Sequence, residues 1–283
     1  MKEVAFIINP YSAHGNYHPF LKELHNKVEN PNYYISESIE GADRFIDDHF
    51  ESTKIFVAIG GDGTISTVAR KIINTEKILA VFPAGSGNGF SNETNFRKNL
   101  DDLIEKINAA HFRHIDTFTV NGKLSINVSG TGFDGKVVKE FEKTSRGFLN
   151  YIKVTLQTFF QYRPVRVKFI TPEFRKFDGK YLMLNIANTR QFGNHAYIAP
   201  MASKSDGLLE VVLVKKFPWA YSALFAYRMF TKNLKDDAYV KYISVPEIEF
   251  EVNTKNWHLD GEFNEISSPV SVKILPKSLK ILI

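Results

Sequence analysis

Three glycine-rich stretches hold the residue types that could grip phosphate. The run Gly60-Gly61-Asp62-Gly63-Thr64 sits between an apolar, strand-like segment and a helix-like one. Glycine lets a backbone approach an oxyanion closely, and the N–H groups at a helix start bind phosphate. Asp62 repels phosphate, so its partner is either Mg²⁺ or a hydroxyl whose proton must leave. The plainer alternative is a βα turn in which Asp62 caps the helix. Pro83-Ala84-Gly85-Ser86-Gly87-Asn88-Gly89-Phe90 closes the next strand-like run, and Asn9-Pro10-Tyr11-Ser12-Ala13-His14-Gly15 closes the first one. Loops at the carboxyl ends of neighbouring parallel strands lie side by side. Three together make a cradle the size of a nucleotide's polyphosphate.

The elements that would position these loops alternate. Apolar, β-branched runs at 4–8, 33–36, 54–59 and 78–82 predict strands, and helical spacing at 19–28, 42–50 and 64–73 predicts helices between them. That order implies a parallel sheet covered on both faces. From about residue 114 the pattern changes. Runs at 114–120 and 124–128 flank the hairpin dipeptide Asn121-Gly122, and further strands are predicted at 165–170, 181–187, 208–214, 243–252 and 270–275. Helices interrupt them at 135–143, 149–162 and 219–230. The fold expected is an α/β nucleotide-binding domain over 1–113 and a mostly antiparallel β domain over 114–283, with the closing residues free to return to the first.

Composition excludes some chemistry. The 283 residues contain no cysteine, so a disulfide framework, a thiol nucleophile and a thiolate metal site are all ruled out. The opening apolar stretch is too short for a signal peptide, and no run of about 18 apolar residues offers a spanning helix. Charge is uneven: residues 1–113 hold 12 basic and 15 acidic side chains, and residues 114–283 hold 24 and 16. The basic excess lies in the half that is also rich in aromatics, and it suits an anionic surface or simply a solvated face. Only net charge would suggest nucleic acid, and no such partner is expected. Trp219, Tyr221, Phe225, Tyr227 and Phe230, flanked by Lys215, Lys216, Arg228 and Lys232, have an interfacial composition. Packing of that helix on the β domain explains them equally well.

Gly130-Thr131-Gly132-Phe133-Asp134-Gly135 fits G-x-G-x-x-G, yet neither phosphate motif holds. A P-loop needs Ser or Thr after its Lys, and Val137 follows Lys136; a dinucleotide fold needs a βαβ unit, and a helix follows instead. His195 reads as a structural or surface histidine.

The glycine turns, together with the opening Asn9-Pro10 and Ser12, resemble the diacylglycerol kinase catalytic-domain family, which includes YegS-like lipid kinases and the sphingosine and ceramide kinases. Gly132-Phe133-Asp134, Ala199-Pro200-Met201-Ala202 with Asp206-Gly207-Leu208, and Asp260-Gly261-Glu262 extend the resemblance along the chain. It implies an α/β domain like that of NAD kinases and phosphofructokinases, then a β-sandwich, with ATP in the cleft between them. It also implies transfer of the γ-phosphoryl group from ATP and Mg²⁺ to a lipid hydroxyl. By position Glu262 would be the general base, Asp134 would position the hydroxyl, and Asp62 would serve Mg²⁺ or the phosphates. The nucleotide set would be Asn9, Pro10, Ser12, Gly60, Gly61, Asp62, Gly63, Thr64, Gly85, Ser86, Gly87 and Asn88. Asp206 with the carbonyls of Ser203 and Leu208 would match a structural metal site.

Two departures stand out. Gly-Ser-Gly-Asn is nearer the sphingosine and ceramide kinase form than the bacterial one, but Gly89-Phe90 fits neither. The first loop has Ala13-His14 where a lysine is common, so phosphate charge falls to backbone N–H groups, Mg²⁺ or a more distant lysine. Diacylglycerol or a related glycerolipid is the leading acceptor. A sphingoid base or ceramide, NAD, and a non-catalytic lipid-binding role are the alternatives. The expected setting is cytoplasmic with reversible membrane contact, and a homodimer is compatible with the sequence.

Overall fold

The computed structural model describes residues 3–12, 17–85, 87–141, 143–144 and 148–283. Ser86, Ala13, His14 and Gly15 lie outside them. The chain divides into two units, one of residues 1–116 with 276–283 and one of residues 117–275.

In the first unit β1 (Val4–Ile8), α1 (His18–Lys27), β2 (Asn32–Ile35), α2 (Ile39–Asp48), β3 (Ile55–Gly60), α3 (Asp62–Ile72) and β4 (Ile78–Pro83) follow in order. Strands β1, β3 and β4 are buried at every residue, as a parallel sheet covered on both faces requires. The order is β2-β1-β3-β4, all parallel. Two helices were not anticipated: α4 (Gly89–Glu93) and α5 (Leu100–Ala109). The signal for α5 was present, since Leu100, Leu103 and Ile107 are buried at helical spacing and the Asn99 side chain caps the Asp102 N–H at 3.0 Å.

The second unit continues with β5 (Phe112–Val120), which begins in the first unit, β6 (Lys123–Ser125), β7 (Val128–Gly132), α6 (Phe133–Phe141), α7 (Phe148–Gln161), β8 (Val165–Phe169), β9 (Gly179–Tyr181), β10 (Met183–Ala187), β11 (Leu209–Val214), α8 (Trp219–Phe230), β12 (Val240–Val245), β13 (Glu247–Val252), β14 (Asn256–Leu259), β15 (Glu262–Glu265) and β16 (Val270–Leu282). One sheet runs β12-β11-β10-β7-β14-β15 and is antiparallel throughout. The other pairs β16, β13, β8 and β9. Trp257, Leu184, Ile186, Val211, Phe250 and Val270 fill the core of the sandwich. On β8 and β13 buried and exposed residues alternate, so the outer face of that sheet is solvated. Strands β7 and β10 are buried at every residue, because Phe133, Val137, Phe217 and Phe225 pack on the far face of their sheet.

Three predicted strands are corrected. The run at 124–128 is interrupted because the Ile126 and Asn127 N–H groups donate to the Asp260 carboxylate rather than to a ladder. The run at 243–252 is two strands in different sheets, since Pro246 has no N–H for a ladder. The closing strand is longer than 270–275. It passes a kink at Pro276 and Lys277 (φ +53°), and Lys280 and Ile281 pair in parallel with Ile78 and Leu79 of β4 in the first unit.

Candidate active site

Strands β1, β3 and β4 end level with one another, and their loops are tied together. Asn9 donates through its N–H to the Ile59 carbonyl at 2.9 Å and through Nδ2 to Thr64 Oγ1 at 3.0 Å. The Gly60 carbonyl accepts the N–H groups of Ala84 at 2.9 Å and Gly85 at 3.2 Å. A Cβ on Gly85 would fall closer than 3.0 Å to the Gly61 Cα, so the two turns touch backbone to backbone. Asn88 adopts a left-handed conformation (φ +49°), and its Oδ1 accepts the Gly85 N–H at 3.0 Å.

Asp62 is the first residue of α3. Its two carboxylate oxygens accept the N–H groups of Gly89 and Phe90, each at 3.0 Å, at the start of α4. The residue therefore fastens the second glycine turn to the third. Helix geometry leaves the N–H groups of the first turn of α3 without an intrahelical acceptor, which is the anion-binding arrangement read from the glycines. Beside the first loop opens a cavity of about 510 Å³, lined in part by Asn9, Ser12, Tyr17, Phe20, Phe82 and Lys98. Tyr17, Phe20 and Lys98 carried no motif, so the sequence offered no signal for them.

In the second unit the residues around Asp134 form a buried polar cluster. Asn185 on β10 and His258 on β14 both lie opposite Gly130 on β7. The Asp134 carboxylate sits over this row. One oxygen accepts the Gly135 N–H at 2.9 Å; the other accepts Asn185 Nδ2 and lies 3.2 Å from His258 Nε2. Among the described residues, Asn185 Oδ1 and His258 Nδ1 find no hydrogen-bond partner. Tyr162 is near enough that burial first, and then the charge of Asp134, push its phenol up. Asn185 and His258 were missed, although a lone Asn inside the apolar run 183–187 was a visible signal.

The same geometry explains the false phosphate motif. A Cβ on Gly130 would overlap Asn185 and Asp134, and one on Gly135 would meet the Asn256 carbonyl closer than 3.0 Å. These glycines make room for the cluster and for close packing of α6 on β14. Gly130→Ala is therefore expected to cost about 1–3 kcal/mol through overpacking, read as a lower urea midpoint. An unchanged midpoint would mean that the cluster can move aside.

Asp260 and Gly261 both have positive φ, +51° and +88°, in the tight turn that pairs Leu259 with Glu262. The Asp260 carboxylate is buried and accepts Ser125 Oγ at 2.6 Å and the N–H groups of Ile126 at 3.0 Å and Asn127 at 2.8 Å. Glu262 stands exposed at the head of β15. Asp206 is exposed and accepts the Leu208 N–H at 3.1 Å, which folds Asp206-Gly207-Leu208 into an Asx turn close to Ser203 in the chain. Among the described residues no group of three or more His, Asp or Glu side chains gathers as a metal would need. His195 lies in an exposed turn with φ +60°.

A parallel α/β unit with joined glycine turns, followed by an antiparallel sandwich, defines a two-unit α/β and β-sandwich protein. The chain belongs to the diacylglycerol kinase family: residues 3–120 match the diacylglycerol kinase catalytic domain, and residues 127–283 match the YegS C-terminal NAD kinase beta sandwich-like domain. It is 32% identical over 163 residues to a "Probable lipid kinase YegS-like" of Pseudomonas aeruginosa (strain UCBPP-PA14), covering 56% of this chain and 53% of that one. The chain thus spans about half the length of the first curated relatives it matches. To a diacylglycerol kinase of Bacillus subtilis (strain 168) it is 25% identical over 278 residues, 93% of this chain and 90% of that one. A solved diacylglycerol kinase structure from Bacillus anthracis str. Sterne superposes with a TM-score of 0.74 at 17% identity, covering 99% and 96% of the two chains. At that identity the likeness is one of fold.

Proposed function

We propose that this protein is an ATP- and Mg²⁺-dependent lipid kinase that phosphorylates the hydroxyl of diacylglycerol or a related glycerolipid. The observation that carries the reading is the fastening of three glycine-rich loops around the N-terminus of α3. Phosphoryl transfer needs positioning and charge stabilisation more than covalent participation, and joined backbone N–H groups supply both. The aromatic walls of the cavity suit a nucleotide base, and Lys98 is a cation for the phosphates that the first loop lacks.

Mg²⁺ fits as an ion that arrives with the nucleotide. It keeps several waters and usually takes one or two carboxylates plus phosphate oxygens, and Asp62 is the carboxylate that stands among the joined loops at the start of α3. When bound it would neutralise charge on the β- and γ-phosphates. Glu262 takes the proton of the acceptor hydroxyl as that oxygen bonds to the γ-phosphorus and the bridging oxygen leaves with ADP. Its exposure suits contact with a substrate. The buried Asp134 holds its end of the second unit rigid. Asp206 with the carbonyls of Ser203 and Leu208 is proposed as a separate structural cation site, which the Asx turn leaves one carboxylate oxygen to serve.

Glu262→Gln is expected to retain ATP affinity and to lose transfer to every acceptor by about 10²-fold or more. The assay uses labelled ATP with diacylglycerol, monoacylglycerol, phosphatidylglycerol, sphingoid bases, ceramide and NAD. Turnover retained by the variant would place the base elsewhere, and label on NAD alone would end the lipid reading.

A further inference from the structure

The chain holds two Asn-Gly dipeptides, Asn88-Gly89 and Asn121-Gly122. Asparagine is a thermolabile residue, and most so before glycine, where no side chain shields the following nitrogen from the carboxamide. That nitrogen attacks the carboxamide carbon, a cyclic imide forms, and ammonia leaves with the glycine N–H proton. Water then opens the imide at either carbonyl and leaves aspartate or isoaspartate. One amide and one water are consumed, and one acid and one ammonia result.

The fastened third loop holds Asn88 against this reaction. Ring closure needs the Asn88 Cβ and the Gly89 nitrogen on the same side of the Cα–C bond. The left-handed backbone of Asn88 (φ +49°, ψ +40°) sets them nearly anti. Three hydrogen bonds hold that rotation. The Gly89 N–H donates to Asp62 Oδ2, the Asn88 carbonyl accepts the Asn92 N–H, and Asn88 Oδ1 accepts the Gly85 N–H, each at 3.0 Å. Of the three, only the bond to Asp62 reaches outside the loop and α4. The charge of Asp62 also disfavours the nitrogen anion that would attack.

We propose that Asn88 is a deamidation site gated by Asp62. While the carboxylate fastens Gly89 and Phe90 the carboxamide is stable, and each opening of the loop exposes it to an irreversible change. Either product adds a negative charge to the loop. Isoaspartate also lengthens the main chain by one carbon just before the two N–H groups that Asp62 holds, so the loop does not refasten in register. Asn121 is the internal comparison, with φ +48°. Its Oδ1 accepts the Ser271 N–H at 2.7 Å, and its Nδ2 donates to the carbonyls of Ser267 and Pro269 at 3.0 and 3.1 Å. None of those bonds involves Asp62. The gate stands whatever the loops bind; protection of Asn88 by ATP rests on the kinase reading.

The experiment ages the full chain in mildly alkaline buffer and follows it by trypsin digestion and mass spectrometry. Asn88 falls in peptide 78–97 and Asn121 in peptide 114–123, and fragment ions separate Asn88 from Asn92 and Asn95. In the folded parent Asn88 is expected to react at least about tenfold more slowly than in the same chain in urea. Asp62→Ala should speed the reaction at Asn88 about tenfold and leave Asn121 at the parental rate. Acceleration at both sites would report general unfolding, and Asp62→Ser, which keeps a polar start to α3, then decides. Equal rates for the parent in buffer and in urea would overturn the proposal, as would a parental Asn88 rate in a folded Asp62 variant. ATP in EDTA should slow Asn88 further by holding the loops closed. Acceleration by Asp62→Ala with no protection by ATP would support the gate and count against the nucleotide reading instead.

Discussion

Asp62→Asn is expected to lower phosphoryl transfer at least about a hundredfold and to weaken ATP binding with or without Mg²⁺. Both Asp62 oxygens accept backbone N–H groups, from Gly89 and Phe90. An amide replaces one of those acceptors with an NH₂ that faces a donor, which costs about 1–3 kcal/mol. The negative charge at the start of α4 goes as well. The third glycine loop then loses its fastening to α3, and a displacement of about 1 Å in a positioning element is enough for a hundredfold loss. Titration calorimetry with ATP, in EDTA and in Mg²⁺, separates this from a role confined to the ion. ATP affinity preserved in EDTA would show that Asp62 acts through Mg²⁺ alone.

Asp260→Ala is expected to destabilise the protein by about 3–5 kcal/mol. It removes the acceptor for Ser125 Oγ and for two backbone N–H groups in a buried setting. It also places alanine at φ +51°, where Asp and Asn are tolerated better. Asp260→Asn keeps the turn and one carbonyl acceptor, so it should lose about half as much. Because Asp260-Gly261 sets the register of Leu259 with Glu262, activity should fall in both variants at temperatures where they remain folded. Urea unfolding with matched activity measurements tests this ranking. Equal midpoints for Ala and Asn would show that the carboxylate bonds contribute little.

Local chemistry was legible from the residues. The glycine turns lie where strand-like runs end, Asn121-Gly122 makes the hairpin with φ of +48° and +79°, and the helix expected at 219–230 is α8 itself. These features depend on neighbours: which residues accept positive φ, which lack an N–H, and which apolar residues recur at helical or strand spacing. The family resemblance, carried by short motifs at turns, was legible for the same reason.

What only the tertiary structure decided is partnership. Asp62 could be read as serving Mg²⁺ or a hydroxyl, or as a cap of its own helix, and no local rule foretold that its carboxylate fastens a loop 27 and 28 residues away. Asp134 meets Asn185 across 51 residues and His258 across 124. Asp260 takes the N–H groups of residues 126 and 127, which is why the strand expected at 124–128 breaks there. No local rule selects such partners, because a carboxylate satisfies its hydrogen bonds equally well with any donors that chain closure and strand register bring within reach. The types and spacing of residues determined where the glycine turns and strands fall, and the packing of distant strands determined which donors each carboxylate engages.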